Sequence, residues 1–494
     1  MEKQHFPSKS IKTFTLLASA IAGIIGSGWL LGPFIAAKHA GPAAIICWFI
    51  AGVLMIIVSG TFVILTRARP IVGGTVRFFQ LSYGHFAGFS FSWIAWLAWI
   101  AVSPIETLAL IQYSANYIPG LMTGGVHSTL TPLGMLIATG LIALITVINS
   151  YGISLYSKVN HIILSFKLLI PAITITLLFS HHFHAANFTA GGGFMPYGIQ
   201  SIFSALPVAG VIYSFIGFNP AVQMAAESKN PRLAIPIAIF GSLAICTILY
   251  TLVQIAFISS LPSSSIAHGW SHISFIGDNG PFAGLLAGLG FIWFVKLLYV
   301  DAAISPFGTA MVQAMATGRM TYAMSQNGYL PKCFLTTNRH GSPGRAIWVN
   351  MLVGLLFILP FPSWQRMVGF LVSCLVLGYI VGPMSLMLLI ENEPKKCGNA
   401  PRWLLQAYCV VAFYICNLII YWTGWGVISK VMITFFIGYA ILAAKIIWEK
   451  VKQKKQHELN IIRGSWVILY MVGLCIISYL SSFHGHNVIP FGID

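Results

Sequence analysis

Charge is what this sequence has least of. Only 7% of its 494 residues are Asp, Glu, Lys or Arg, and just 10 are acidic. A water-soluble domain carries about 25% charged residues, because its surface has to stay hydrated. A chain this long and this poor in charge cannot cover such a surface, which excludes a soluble fold. Several chemical signatures are missing too. The eight cysteines (Cys47, Cys246, Cys333, Cys374, Cys397, Cys409, Cys416, Cys475) form no Cys-x-x-Cys pair and lie mostly in apolar stretches. They are expected to act as small hydrophobes, not as a disulfide framework or metal site. The glycines at 191–193 lack the Lys-Ser/Thr partner of a phosphate loop. Neither a Ser-His-Asp order nor a His-Glu-x-x-His motif occurs, so no enzyme chemistry, cofactor or metal is expected. His181, His182 and His184 have no carboxylate or cysteine beside them and are expected on an external loop.

Apolar residues are what the chain has instead: 57% are hydrophobic and the mean hydropathy is +0.84. A membrane helix needs about 20 apolar residues to cross a hydrocarbon core of about 30 Å. Thirteen runs qualify: 13–37, 42–66, 86–117, 131–149, 159–180, 203–226, 234–259, 282–312, 346–362, 366–390, 404–422, 428–448 and 465–483. Transmembrane strands would alternate in polarity over roughly 10 residues, and no such pattern occurs. Residues 1–12 form a polar lead with no cleavage pattern after the first run, so that run is expected to be a retained span. The expected fold class is an all-α polytopic membrane protein.

A net charge of +17 suggests nucleic acid, but its distribution points to a lipid bilayer. All 27 basic residues except Lys38, Lys167, Lys296, Arg366 and Lys430 fall in every second gap between the runs. Lys and Arg collect in cytoplasmic loops. This places the N-terminus in the cytoplasm and, with an odd count, the C-terminus outside.

Two spans carry breaks. The first contains Gly23, Gly26, Ser27 and Gly28; the sixth runs Tyr213-Ser214-Phe215-Ile216-Gly217-Phe218-Asn219-Pro220. Glycine costs a helix about 1 kcal/mol and proline about 3. Freed backbone groups are tolerated at membrane depth only beside a cavity. Spans one and six stand at matching positions of two five-helix units, as broken helices do around the midplane site of secondary transporters. There, half-helix N-termini attract an anion and freed carbonyls a cation, two poles that suit an amino acid. The alternative is that these glycines simply let helices pack closely. Charges inside spans are costly and point to function. They are Glu106, Lys167, Lys296 and Asp301, with Lys296 near enough to a span end to snorkel outward.

On these motifs the chain resembles the amino acid–polyamine–organocation permeases. The likeness rests on Gly26-Ser27-Gly28 followed by Pro33 and Gly41-Pro42, and on Arg69-Pro70-x-x-Gly73-Gly74. It continues through Ala226-Glu227-Ser228-Lys229-Asn230-Pro231 and on to Gly318–Pro331 (GRMTYAMSQNGYLP). The segments DAAISP (301–306), LPFPSW (359–364) and YWTGW (421–425), with Glu106 and Ser478–Gly485, look like those of bacterial aspartate–proton symporter-like members.

The resemblance implies a leucine-transporter-type 5+5 inverted repeat. One repeat would occupy 13–180 and the other 203–390. Three additional helices would follow over 404–483, then an external tail at 484–494. It also implies that Gly23 and Gly26 open the first helix, and that Ser27 hydroxyl and Gly28 amide hold a substrate carboxylate. Ile24 and Ile216 carbonyls would receive its ammonium, Gly217 would open the sixth helix, and Tyr213 would close over the solute. Asn219 stands where some members have an acidic residue. Lys167 matches a lysine that replaces the coupling sodium in some relatives. Asp301 is expected to pair with it, and Glu106 to carry a proton or touch substrate. The function implied is proton-coupled amino acid import by alternating access, with acidic substrates suggested by the subfamily. An exchanger on the same scaffold, or a non-transporting sensor, is the alternative.

Overall fold

The computed structural model describes residues 12–69, 74–123, 129–151, 153–223, 225, 228–339, 341–451 and 464–490, the side chains of 74–76, 153–162 and 449 excepted. The polar lead 1–11, Pro70–Gly73, Ala226-Glu227, most of the charged linker 449–458 and the last four residues lie outside that set.

Each of the thirteen apolar runs falls on helix. Span one is α1 (Thr13–Ile24) and α2 (Gly28–Ala40), and α3 (Ala44–Ala68) is span two. Then come α4 (Gly74–Ser114), α5 (Pro132–Ser150) and α6 (Ile153–His181). Span six begins with α7 (Gly198–Val208) and ends in α8 (Asn219–Gln223); α9 (Pro231–Ser259) is span seven. Short helices α10 (Ser263–Ile266) and α11 (Pro281–Gly288) precede α12 (Ile292–Gln326), and α13 (Gly344–Ile358) is span nine. Helices α14 (Trp364–Tyr379) and α15 (Val381–Asn392) together make span ten. The last three spans are α16 (Arg402–Tyr421), α17 (Trp425–Val451) and α18 (Trp466–Leu480). Among the described residues nine helices are long and apolar enough to cross a membrane, or ten with the bent pair in span six. Spans one, nine and thirteen rest on shorter apolar helices.

Local sequence sets the boundaries. Pro132, Pro231 and Pro281 open their helices, where a missing N–H costs nothing. Thr131 caps α5 by accepting from Gly134 N–H at 3.1 Å. In α4 the chain kinks at Gly84 (φ 82°), a left-handed conformation that suits glycine, two residues before the expected start of span three.

Two boundaries differ from expectation. The eighth span was expected over 282–312, but residues 281–288 form a separate helix. Gly290 (φ 85°) turns the chain, and α12 starts at Ile292. In span six the break lies earlier than Tyr213–Pro220. It falls at Ala209–Ile212, where Gly210 has φ 81°, and 213–218 is wound as a tight 3-10 turn. The halves are bent by 43°.

Gap-to-gap contacts among the described residues sort into two sets. On one face Arg69 pairs with Glu393 at 2.7 Å, Asn338 donates to Ser150 O at 2.6 Å, and Lys445 bonds Gly328 O. Lys396 and Arg69 beside Glu393 hold its carboxyl below the usual range. On the other face Leu130 N–H meets Pro362 O at 3.3 Å, His184 N–H meets Ser259 O at 2.9 Å, and Gln200 donates to Ser482 O at 3.2 Å. The first set holds the basic gaps.

Trp29, Trp48, Trp93, Trp96, Trp99, Trp270, Trp364 and Trp422 are buried among the helices, where large rings fill the space between crossing spans. Lys296 is exposed on the outside of α12, as expected.

Candidate substrate site

The site is built on the break in span one. Helix α1 ends at Ile24, residues 25–27 are non-helical, and α2 starts at Gly28. A break frees carbonyls at the end of one half and amides at the start of the other. The protein answers each set with a buried charge of opposite sign.

On the carbonyl side stands Lys167 of α6, fully buried. Its ammonium donates to Ala22 O at 2.6 Å, Ile25 O at 2.5 Å and Thr309 Oγ1 at 2.6 Å. Ser305 hydroxyl also reaches Ile25 O, at 3.4 Å. An ammonium has three donors, and all three are used.

On the amide side stands Glu106 of α4, 1% exposed. Its Oε2 accepts from Ser27 N–H at 2.8 Å, and its Oε1 from Tyr213 hydroxyl at 2.5 Å. Ser27 Oγ accepts from the Trp364 indole at 2.8 Å. Trp364 in turn packs edge-on against Tyr213, with centroids 5.9 Å apart.

The glycines serve both readings made of them. A Cβ on Gly23 would stand 2.6 Å from Gly217 O, and one on Gly217 would overlap Gly23 O. The two broken spans therefore cross backbone on backbone. A Cβ on Gly26 would lie 2.6 Å from Glu106 Oε1, and one on Gly28 would overlap Ser214 Oγ. Close packing and an open backbone are achieved by the same residues.

The expected ammonium acceptors are present but partly engaged. Ile24 O accepts from Tyr250 hydroxyl at 3.2 Å and Ile216 O from Tyr379 hydroxyl at 2.9 Å. The pairing of Asp301 with Lys167 is not found. Both Asp301 oxygens are buried without a hydrogen-bond partner. Residue 301 lies eight residues before Thr309 on α12, about 12 Å along the axis at 1.5 Å per residue. The amide atoms of Asn219 are likewise buried and unpartnered.

A cavity of only about 10 Å³ remains between Gly23, Glu106, Tyr213, Ile216, Thr309 and Gln313, the space of about one water. A second cavity of about 610 Å³ opens on the face opposite the basic gaps. Lys38, Gln112, His272, Asp278 and Arg366 line it, and Trp364 lies in its wall. The indole thus stands between the wide cavity and the small one.

Thr309, Gln313, Ser305 and Trp364 were not picked out from the sequence. The first three had a legible signal. Residues Asp301, Ser305, Thr309, Gln313, Thr317, Thr321 and Ser325 recur every fourth position through an apolar span, a polar stripe that winds slowly around the helix. Trp364 ends the LPFPSW segment, but nothing in the sequence put it at the break, because only the fold brings α14 there.

Sequence comparison places this architecture. The amino acid permease family matches over residues 11–491. The chain belongs to that family. The permease is 36% identical to the glutamate/serine transporter AimA of Bacillus subtilis, over 98% of its own length and 90% of that protein's. It is 31% identical to the aspartate-proton symporter of the same organism, over 100% and 94%. A methylthioribose transporter from that source is 26% identical over 70% and 74%. The permease is an integral membrane transporter of amino acids and not an enzyme.

Proposed function

We propose that this permease imports amino acids together with protons by alternating access, acidic amino acids among them. The observation that carries the reading is the double clamp on residues 22–27. Lys167 holds the freed carbonyls and Glu106 the freed amide. A carrier coupled to sodium would need an open cation position at such a break; here an ammonium fills it. A proton gained or lost at either residue changes how firmly the break is held, and so links protonation to movement of the bundle. Asp301, buried and unpartnered on the same helix as Thr309, is a further place for a proton.

The wide cavity supports an acidic substrate. Lys38 and Arg366 face it, with Asp278 the one carboxylate in its described lining, so positive charge is in excess there, and among the described residues neither cation makes a salt bridge. Unpaired cations in a cleft raise the local concentration of anions. The relatives that transport glutamate or aspartate agree with this.

Uptake into liposomes tests the proposal. With an inward pH gradient, no sodium and no internal substrate, L-glutamate or L-aspartate should accumulate above its external concentration. Uptake seen only after loading the vesicles with amino acid would make the protein an exchanger. Accumulation of neutral or basic amino acids alone would remove the acidic class.

The face with the basic gaps is the cytoplasmic one in this reading, with the N-terminus inside and the tail at 484–494 outside, in a bacterial plasma membrane. Cys333 is exposed on the basic face. A membrane-impermeant maleimide should label it in inside-out vesicles and spare it in intact cells, whereas an Ala186→Cys variant should be labelled in intact cells. The reverse pattern would invert the topology.

A further inference from the structure

We propose that Glu106 is an internal stand-in for the substrate's carboxylate. It fills the anion position of the empty carrier and must take up a proton before substrate can bind. This rests on the site and the coupling proposed above and adds the order of events.

The resemblance assigned the start of α2 to the substrate carboxylate. In the structure a carboxylate is already there. Glu106 accepts from Ser27 N–H at 2.8 Å, at the N-terminus of α2 where partial positive charge favours an anion. It also accepts from Tyr213 hydroxyl at 2.5 Å, the group expected to close over the solute. Gly26 has no side chain at the point where a Cβ would come within 2.6 Å of Oε1, so the backbone is shaped to admit this carboxylate. The space left beside it, about 10 Å³, cannot hold an amino acid. Substrate and Glu106 therefore compete for one set of donors.

Competition supplies the coupling. An ionised Glu106 displaced from Ser27 N–H and Tyr213 would be a buried charge without partners, which is costly. A protonated one gives up the donors readily and can turn its O–H to another acceptor. Substrate entering from outside would thus bind with one proton on Glu106. When substrate leaves inside, that proton dissociates and the carboxylate returns to Ser27. The refilled site lets the empty carrier cross back without exposing unpaired amides. Lys167 plays a different part: its three donors are all used, and none faces the substrate carboxylate's position.

The test is proton uptake on binding to the purified full-length protein, with L-glutamate and L-serine as probes. In the pH range where Kd rises with pH, calorimetry in two buffers of different ionisation enthalpy should show about one proton taken up per substrate bound. Kd should rise by about tenfold per pH unit above the titration of Glu106, since binding then draws on the protonated form. The Glu106→Gln variant keeps the shape, but its neutral oxygen is a weaker acceptor. It should bind with no proton uptake and a Kd independent of pH. Binding by the unmodified protein with no proton uptake overturns the proposal whatever the variant does. Uptake that persists in Glu106→Gln overturns it too and moves the proton elsewhere. Either result leaves proton-driven accumulation in liposomes, the test of the broader function, standing or falling by itself.

Discussion

Replacing Lys167 by Met should abolish accumulation of substrate in liposomes carrying an inward pH gradient. Methionine keeps most of the volume and removes the charge, so it separates packing from the ammonium's hydrogen bonds. Those bonds go to Ala22 O, Ile25 O and Thr309 Oγ1, within 2.5–2.6 Å. Thr309 hydroxyl lies 3.1 Å from Ile25 O and 3.3 Å from Ala22 O, and with a single proton it can serve one of them. With Ser305 reaching Ile25 O only at 3.4 Å, the two carbonyls exchange charge-assisted bonds for long neutral ones, a loss of about 1–3 kcal/mol. The protein should therefore fold with reduced stability, visible as a lower melting temperature in detergent. Binding should survive in part, because Ser27 and Tyr213 do not touch the lysine. Coupling should not, since no charge then ties the break to α6 and only the hydroxyls of Ser305 and Thr309 still hold it to α12. A Lys167→Met protein that still concentrates substrate would show the ammonium to be structural, with Glu106 or Asp301 left as the proton site.

Gly28→Ala should lower substrate affinity by about five- to a hundredfold through a single methyl group, since overpacking of this kind costs about 1–3 kcal/mol. Its Cβ would overlap Ser214 Oγ and stand 2.8 Å from Ser214 Cβ. Neither backbone can retreat easily, because Gly23 and Gly217 already cross in direct contact nearby. Ser214→Gly removes the clashing atoms and should restore much of the loss in the double variant, a coupling that independent sites would not show. If Ser214→Gly restores stability while binding stays weak, the methyl group at residue 28 intrudes on the substrate itself. A Gly28→Ala protein with normal affinity would place the substrate elsewhere.

The helices could be read because each of the thirteen apolar runs is a local property, and nine or ten of them are long and apolar enough to cross lipid among the described residues. Their alternation could be read because each basic gap is local too. Helix breaks were legible in part. Gly26-Ser27-Gly28 lies where the structure breaks, but in span six Gly210 decides the turn, not Gly217, because only Gly210 has the left-handed backbone. Gly217 is there for contact with Gly23, which depends on where another span lies.

Glu106 and Lys167 were recognisable as costly buried charges, and the chain by itself determined that both must find partners. It could not determine which. Glu106 meets Ser27 across 79 positions, Lys167 meets Ala22 across 145, and Trp364 meets Ser27 across 337. Asp301 makes no hydrogen bond and no salt bridge with Lys167, where pairing was expected, and the two act on each other only through their charges. The sequence by itself determined a polytopic helical membrane protein, its spans and the residues with chemistry to offer, because lipid imposes the same requirement on every segment. Only the tertiary structure decided that a carboxylate fills the amide pole of the break and an ammonium the carbonyl pole. Hydrogen bonds act within about 3 Å, and only folding brings residues so far apart in sequence within that range.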